Sequence, residues 1–342
     1  SLFLCQPKIS TLTSALSGSG VSLGLVLSLT EIIILKMNIE IPLVVVVIAN
    51  WNLRKDLLEC LGSLYETDYP RMHVIVVDNN SSDDSIEWVE KQFPQTQLIK
   101  RTENGGYAVA LNDGIRAGAA LDPDFYLILN NDTLVPPDTL GKLVEVMLSD
   151  ERIAIAAPKI IYHDHPERIF SLGDHILPWL PLPVRVGRKA YDRPAYSKTQ
   201  EFDYLFGCAL LMRTESLKQV GLFDTSFFMY YEDSDLCRRM RDAGWKNVRV
   251  GSAIIRHKAS LSSKLVPEKM VYLRARNRSW FYRRYHHGPL PAATFVALLL
   301  GSIRTIFTYL FTGKRSQICP YINGALDGLR QAVPPLTDTN WN

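Results

Sequence analysis

The sequence LVVVVIANWN, residues 43–52, holds an uninterrupted apolar run that ends in the polar residues Asn50 and Asn52. A β-branched run of this length is typical of a strand buried on both faces, as in a parallel sheet. The run HVIVVD, residues 73–78, has the same character, and leucines at helical spacing separate the two runs between Lys55 and Tyr65. This part of the chain therefore predicts a strand, a helix and a second strand.

The same alternation continues along the chain. Apolar patterns predict a helix that is capped by Ser82 or Asp83 and ends at Phe93, a strand at Gln97–Lys100, a helix at Gly106–Ala120 and a strand at Asp124–Leu129. They then predict helices at Pro137–Leu148, Ser234–Gly244 and Glu268–Tyr285, and strands at Ile153–Pro158, Tyr204–Met212 and Val248–Ile255. Four strand–helix repeats in ~100 residues indicate an α/β fold with a Rossmann-like, doubly wound, mostly parallel sheet. Residues 163–200 show no clear period, and we expect a mobile surface segment that runs over the site.

The composition excludes some classes of function. The chain has 342 residues, of which 47% are hydrophobic and 21% charged, as expected for a globular protein with a sizeable core. The formal net charge of +3 is too small to indicate nucleic acid as a partner. Five widely spaced cysteines without a CxxC pair argue against a disulfide framework or structural zinc, and they predict a reducing, cytoplasmic compartment.

Three parts of the chain differ in character. Residues 1–36 form an N-terminal extension of doubtful role, since their apolar stretch is too short and interrupted for a transmembrane helix and lacks the features of a signal peptide. Residues 37–288 form the α/β domain, and residues 289–342 form an apolar helical tail. Arg304 interrupts the apolar part of this tail, which favours a helix lying on a membrane surface over a membrane span. An ordinary buried C-terminal helix is the alternative.

Two polar loops follow predicted strands, at the edge of the sheet where α/β proteins bind ligands. Asp78-Asn79-Asn80 can form a tight turn before a helix, or Asp78 can contact a nucleobase or a ribose hydroxyl; the pattern leaves both open. Asn104-Gly105-Gly106 opens a helix, where glycines allow close approach of a diphosphate. The GxGxxG fingerprint of dinucleotide-binding proteins is absent, so an oxidoreductase is not indicated.

Three acidic residues and one histidine are candidates for metal binding and for acid–base catalysis. Asp132 ends the segment Asn130-Asn131-Asp132, where a carboxylate can bind a divalent cation or serve only in a turn. Glu232 and Asp233 are adjacent acids before a helix; they can cap it, or one can have a raised pKa and act as a general base. His257 is structural or, with Asp132, a metal ligand.

These segments, together with Gly207-Cys208-Ala209-Leu210 and Gly221-Leu222-Phe223-Asp224, resemble family 2 glycosyltransferases of the GT-A fold, especially the rhamnosyltransferase-like branch. The resemblance covers roughly residues 41–285 and implies roles for individual residues. Asp233 matches the catalytic base, with Glu232 as the second choice, and Asp132 and His257 match metal ligands. The family's DxD motif reads Asn130-Asn131-Asp132 here, so its first carboxylate is missing. The implied donor-binding residues are Asn50, Trp51, Asn52, Asp78, Asn80, Asn104, Gly105, Gly106, Asn112, Asn131, Gly207 and Cys208.

The resemblance also implies a reaction. A sugar, with rhamnose from a dTDP donor as the first choice, moves with inversion from a nucleoside-diphosphate donor to a glycan or lipid-linked glycan acceptor. Mg²⁺ or Mn²⁺ assists the leaving diphosphate, and the enzyme lies on the cytoplasmic face of the cell membrane. The alternatives are a nucleotidyltransferase and a non-catalytic sugar-nucleotide or membrane-binding scaffold. A nucleotidyltransferase is expected to have a glycine-rich, basic loop at the position of Asn50–Arg54.

Overall fold

Strand β1 (Val44–Asn50) lies inside the main sheet and is paired along both edges. The structure, a computed structural model, describes residues 40–177, 180–258, 265–285 and 292–341. Strand β1 runs parallel to β2 (Met72–Asp78) on one side and to β4 (Phe125–Asn130) on the other, and β3 (Gln97–Lys100) adds in parallel to β2. The four valines of β1 are fully buried, because both faces of the sheet are covered, and this confirms the predicted parallel core.

The helices between these strands are α1 (Arg54–Tyr65), α2 (Ser85–Gln92), α3 (Tyr107–Gly118) and α4 (Thr139–Ser149). Helix α3 lies directly on the sheet because Gly114 and Gly118 face Val47 and Val45; an added Cβ at either glycine would overlap the valine side chain. Helix α2 begins at Ser85, later than predicted, and Asp83 Oδ1 accepts a hydrogen bond from its backbone N–H at 3.2 Å.

The second half of the sheet mixes strand directions. Strands β6 (Ile153–Tyr162) and β12 (Lys246–His257) run parallel to each other, and β11 (Ala209–Arg213) inserts antiparallel between β6 and β4. The short strands β5 (Thr133–Leu134) and β10 (Gln200–Glu201) pair antiparallel with β12. The strand order is β10-β12-β6-β11-β4-β1-β2-β3, a mostly parallel sheet as predicted.

Residues 163–200, which show no clear period in the sequence, contain short strands. Strand β7 (Ile169–Ser171) pairs with β6, and β8 (Asp174–Leu177) forms a hairpin with β9 (Leu180–Arg185). Strands of three to six residues are too short to show a period, which is why the sequence pattern missed them. The segment does border the cavity described below, as expected.

The C-terminal half adds α5 (Thr214–Val220), α6 (Glu232–Asp242), α7 (Pro267–Tyr285), α8 (Ala292–Phe311) and α9 (Ile318–Arg330). Helices α7 and α9 pack closely, because Gly324 and Gly328 of α9 abut the backbone of Tyr272 and Arg276. Residues from Pro42 onward form one compact unit. The predicted extension at residues 1–36 lies outside the described residues, and the boundary predicted at residue 288 stays a prediction.

Helix α8 has an unusual surface. Among the described residues, Thr294–Phe311 is the one helical stretch long and apolar enough to cross a membrane, by length and composition alone, and only 12% of it is buried. Its side chains Ile306 and Tyr309 pack against Val271 and Ala275 of α7. The helix is therefore docked along one side and exposes apolar side chains along the other.

Candidate active site

A cavity of about 690 Å³ opens at the carboxyl ends of β1, β4 and β12, the edge of the sheet where ligands were expected. The predicted residues that line it are Asn50, Trp51, Asn80, Asn104, Gly106, Asn131, Asp132, Gly207, Cys208, Glu232, Asp233 and His257. Asn52, Asp78, Gly105 and Asn112 are not among its lining residues. Residues up to 207 positions apart in sequence therefore meet in one cavity, from Asn50 to His257.

A buried amide network shapes the loop after β1. Asn50 is 1% exposed; its Nδ2 donates to Ser85 Oγ at 3.0 Å and to Asp78 Oδ1 at 3.3 Å, and its Oδ1 accepts from Asn131 Nδ2 at 2.8 Å. The Asp78 carboxylate also accepts from the hydroxyl and the backbone N–H of Ser81, at 2.5 and 3.1 Å. Asp78 thus holds the turn and orients Asn50, and Asn52 likewise accepts from the Ser82 N–H at 2.8 Å.

The loop before α3 is fixed by a second amide. Asn79 Nδ2 donates to Asn104 Oδ1 and to the Gly106 carbonyl, both at 3.0 Å, and the Gly105 N–H donates to Asn79 Oδ1 at 3.1 Å. Gly106 has a φ of 97°, and an added Cβ would lie 2.6 Å from the Phe228 ring. The Tyr107 N–H donates to the Phe228 carbonyl at 2.6 Å. The predicted donor loop therefore touches the segment that leads to the acid pair.

Asn112, an implied donor-binding residue, does not line this cavity. Its Nδ2 donates to the carbonyls of Phe223 and Asp338 at 2.8 and 3.0 Å, and its Oδ1 accepts from the Phe223 N–H at 3.0 Å. The side chain is completely buried. Asn112 joins α3 to the loop after α5 and to the C-terminal segment, so its role is structural.

Asp132 and His257 meet at the floor of the cavity. His257 is the last residue of β12 and pairs with Thr133, so the two side chains come from neighbouring strands. His257 Nε2 lies 3.1 Å from Asp132 Oδ1, and the two side chains are 2% and 6% exposed. Both ring nitrogens of His257 are buried without a hydrogen-bond partner among the described residues.

This pair fits a divalent cation, since a neutral imidazole and a carboxylate are common metal ligands. Within the described part of the chain, no group of three His, Cys, Asp or Glu side chains could hold a metal ion by itself. Oxygen atoms of a bound phosphate would have to complete the coordination. The arrangement therefore suits a metal that is held jointly with a diphosphate.

The segment before the acid pair is held in an unfavourable backbone conformation. Phe228, Tyr230 and Tyr231 have φ values of 62°, 72° and 75°, which bulky residues rarely adopt. Asn277 of α7 stabilises the segment, because its Nδ2 lies within 2.7–3.0 Å of the carbonyls of Phe227, Met229 and Tyr230. Backbone strain of this kind is concentrated at functional sites, where the surrounding structure supports it.

The acid pair occupies the first turn of α6, which begins at Glu232, two residues earlier than predicted. Asp233 Oδ2 accepts from the Gly207 N–H at 2.9 Å, and Oδ1 accepts from the Ser234 N–H at 2.7 Å. Burial raises the pKa of Asp233. Burial, followed by repulsion from Asp233, raises the pKa of Glu232 well above its usual range. Two carboxyl groups with raised pKa therefore border the cavity, as a general base requires.

Several lining residues were not predicted. Asp174 on β8 has a pKa raised to about 6, by burial and then by the charge of Asp233. Arg185, Arg188, Lys269 and Arg274 add positive charge to the cavity wall. Asp174, Arg185 and Arg188 fall in the segment without a period, so no sequence signal pointed to them. Arg274 lies on α7, the helix predicted at Glu268–Tyr285, where no site residue was expected.

The fold and site can be compared with known proteins. A mannosyltransferase from Pyrobaculum calidifontis, solved with GDP-Man and Mn²⁺, shares the fold with a TM-score of 0.54 at 18% identity, over 84% of this chain and 87% of that one. Residues 1–349 of Staphylococcus aureus TarS, solved with UDP-GlcNAc, give a TM-score of 0.52 at 18% identity, over 85% and 82%. The chain therefore has the GT-A fold of nucleotide-sugar-dependent glycosyltransferases.

Residues 42–282 match the glycosyltransferase-like family 2, and the chain belongs to this family and is a glycosyltransferase. A Mycobacterium tuberculosis protein named N-acetylglucosaminyl-diphospho-decaprenol L-rhamnosyltransferase is 28% identical over 58% of this chain and 71% of its own length. The Escherichia coli rhamnosyltransferase WbbL is 28% identical over 56% and 72%, and a Haloferax volcanii low-salt glycan biosynthesis hexosyltransferase is 25% identical over 83% and 90%. These relatives support the predicted rhamnosyltransferase-like branch. The nucleotidyltransferase and scaffold alternatives are thereby set aside.

Proposed function

We propose that the protein transfers a hexose with inversion from a nucleoside-diphosphate donor to a glycan or lipid-linked glycan acceptor, with a divalent cation bound at Asp132 and His257. One observation carries the proposal. The metal-binding pair and the acid pair Glu232 and Asp233 line the same cavity at the carboxyl edge of the sheet. A transferase that displaces a diphosphate needs both a cation and a base within reach of one sugar.

The donor would lie along the loops that end β1, β2 and β4. Asn50, Trp51 and Asn80 border the part of the cavity suited to the base and ribose, and Asn104 and Gly106 border the start of α3, where backbone N–H groups favour phosphate. The sugar would rest near Gly207 and Cys208. Burial raises the pKa of the Cys208 thiol well above its usual range, so this cysteine stays neutral and contributes packing rather than nucleophilic chemistry.

The bond to the anomeric carbon breaks as the diphosphate leaves, and a cation bound at Asp132 and His257 would stabilise the charge that develops on it. Asp233 accepts the proton of the acceptor hydroxyl, because a carboxyl with a raised pKa is a stronger base than an exposed one. The hydrogen bonds from Gly207 and Ser234 fix its orientation. The acceptor oxygen attacks the anomeric carbon from the side opposite the diphosphate, and this inverts the anomeric centre. Glu232 is the second choice for the base.

We propose rhamnose as the sugar, with a dTDP donor, because two relatives are named rhamnosyltransferases. The name of the mycobacterial relative includes a diphospho-decaprenol carrier, which supports a lipid-linked acceptor. The exposed apolar side of α8 supports contact with the inner face of the cell membrane.

The first test is a screen of nucleotide sugars for release of nucleoside diphosphate, with EDTA, Mg²⁺ or Mn²⁺. We expect turnover of one donor that depends on the metal, and at least ~10²-fold slower turnover in Asp132→Asn. Donor binding by calorimetry should also lose its dependence on the metal in that variant. Metal-independent turnover in the wild type would refute the role of the cation.

The second test is Asp233→Asn. Transfer should fall by ~10²- to 10⁴-fold, the contribution typical of a general base, while the donor dissociation constant changes little. Asp242→Asn is the matched control, because Asp242 lies on the same helix, is half exposed and has Arg238 as its ion-pair partner among the described residues. Equal losses of donor binding and transfer in Asp233→Asn would remove Asp233 from the role of base.

A further inference from the structure

Four cationic side chains border one part of the cavity. Arg185 ends β9, Arg188 follows it, and Lys269 and Arg274 lie on successive turns of α7. Arg274 stacks over the ring of Tyr230, which lies two residues before Glu232, so it is on the side of the cavity that holds the acid pair. Arg188 acts electrostatically on Asp174. The positive charge thus gathers around the base.

Two of these cations, Lys269 and Arg274, have no ion-pair partner among the described residues, and Arg185 has only a long contact with Asp174. Lys269 stacks over the ring of Phe228 at 4.2 Å and Arg274 over the ring of Tyr230 at 4.3 Å, and neither forms an ion pair with a described carboxylate. Arg185 comes no closer than 3.9 Å to Asp174. Stacking fixes the direction of a cationic group and leaves its N–H donors available.

Other arginines of α7 are used differently. Arg284 pairs with Asp224 and Asp235 at 2.5 and 3.0 Å, and Arg283 donates to two carbonyls of the segment at α9. Arg278 donates to the Ser302 hydroxyl of α8 at 2.8 Å. These arginines do not line the cavity, and their side chains form ion pairs and hydrogen bonds within the protein. The cationic side chains that face the cavity keep their charge and their donors, as expected where an anion binds.

The four cations lie where an acceptor, and not the donor diphosphate, would bind. The donor diphosphate has its own binding groups, namely the cation at Asp132 and the start of α3 at Gly106. An anion beside Asp233 would belong to the molecule that brings the attacking hydroxyl. Lys269 and Arg274 are exposed, so this anion would enter from the mouth of the cavity.

Helix α7 connects this charge to an apolar surface. Another side of α7 carries α8, whose Ile306 and Tyr309 pack on it. The free side of α8 exposes the apolar side chains Phe295, Val296, Leu299, Leu300, Ile303, Phe307, Leu310 and Phe311. Strand β9, which ends at Arg185, also lies beside α8. A phosphate attached to a hydrocarbon chain would place its negative charge beside the cations and its chain against the apolar side of α8.

We propose that Arg185, Arg188, Lys269 and Arg274 form a subsite for the phosphate groups of a lipid-linked acceptor, beside the base and next to the apolar side of α8. This inference rests on the proposed glycosyl transfer and adds the chemical group by which the acceptor is recognised. The phosphates anchor the acceptor and take no part in the reaction.

Binding of geranylgeranyl diphosphate tests the proposal, in EDTA so that metal-dependent binding at the donor site is removed. We expect the wild type to bind it, and Lys269→Gln/Arg274→Gln to bind it at least ~10-fold more weakly. The matched control is Arg315→Gln/Arg330→Gln, which removes the same charge from exposed residues outside the cavity and should bind like the wild type. Geranylgeraniol and inorganic pyrophosphate separate the contribution of the chain from that of the phosphates, and the lipid diphosphate should bind more tightly than either.

Two results would overturn the subsite. Equal weakening in both double variants would mean that general surface charge, and not this cluster, attracts the lipid. Equal binding of geranylgeraniol and its diphosphate would mean that the phosphates are not recognised. Metal-dependent donor binding is measured on the same preparations, and we expect it to be unchanged in Lys269→Gln/Arg274→Gln. If that variant lost donor binding instead, the cations would serve the donor, and the proposed transfer would stand without this subsite.

Discussion

Replacement of Asn112 by alanine should weaken the fold and leave donor binding unchanged. The side chain is fully buried and takes part in three hydrogen bonds that join α3 to Phe223 and to Asp338 near the C-terminus. Each such bond contributes about 1 kcal/mol net, and the buried N–H and carbonyl of Phe223 would lose a partner as well. The gain in helix propensity from asparagine to alanine offsets only ~0.6 kcal/mol. We expect the free energy of unfolding to fall by about 3 kcal/mol.

Urea denaturation and thermal unfolding measure this loss. A loss of about 3 kcal/mol should lower the melting temperature by ~6 °C or more, at the ~2 °C per kcal/mol of larger domains. Asn323→Ala is the control, because Asn323 is an exposed amide on α9, and its replacement should change stability little. The donor dissociation constant, measured well below the melting temperature, should stay within about twofold of the wild type. Unchanged stability combined with a tenfold weaker donor affinity would refute the structural role and return Asn112 to the donor site.

Two further changes test the coupling of loops and the charge of the cavity. Gly106→Ala should lower transfer at least ~10-fold, because a left-handed φ disfavours alanine and the new Cβ would collide with Phe228. Gly141→Ala, where an added Cβ meets no atom within 4 Å, is the control, and wild-type kinetics in Gly106→Ala would contradict the coupling. Asp174→Asn should stabilise the protein at pH 8 and not at pH 4. Because the pKa of Asp174 is raised to about 6 in the folded protein, its ionisation destabilises the fold as the pH rises from about 4 to 6, and asparagine does not ionise. A gain in melting temperature that is the same at both pH values would show that the charge is not the cause.

The sequence predicted the strands that lead to the cavity, for a physical reason. Parallel strands buried on both faces read as continuous apolar runs, so β1 and β4 were visible directly. The polar residues at their ends then had to meet at one edge of the sheet. The family resemblance implied Asn50 and Asn131 as donor-binding residues, and their side chains are hydrogen-bonded at 2.8 Å.

The cavity wall formed around β7, β8 and β9 was not predicted because nothing in the local sequence marks it. Strands β7, β8 and β9 are short, and their pairing depends on partners elsewhere in the chain. Asp174 and Arg188 line the cavity only because the hairpin of β8 and β9 folds against it. Asn112 shows the opposite limit, since the resemblance implied donor binding while its hydrogen-bond partners lie 111 and 226 residues away in the sequence.

The acid pair and the proposed acceptor subsite both depend on α7. Asn277 of α7 holds the strained segment before Glu232, and Arg284 of the same helix pairs with Asp235 in the first turn of α6. Lys269 and Arg274 project from α7 into the cavity. A shift of α7 would therefore move the acid pair and these two cations together. It would also reach the loop before α3, because the Tyr107 N–H donates to the Phe228 carbonyl of the segment that Asn277 holds.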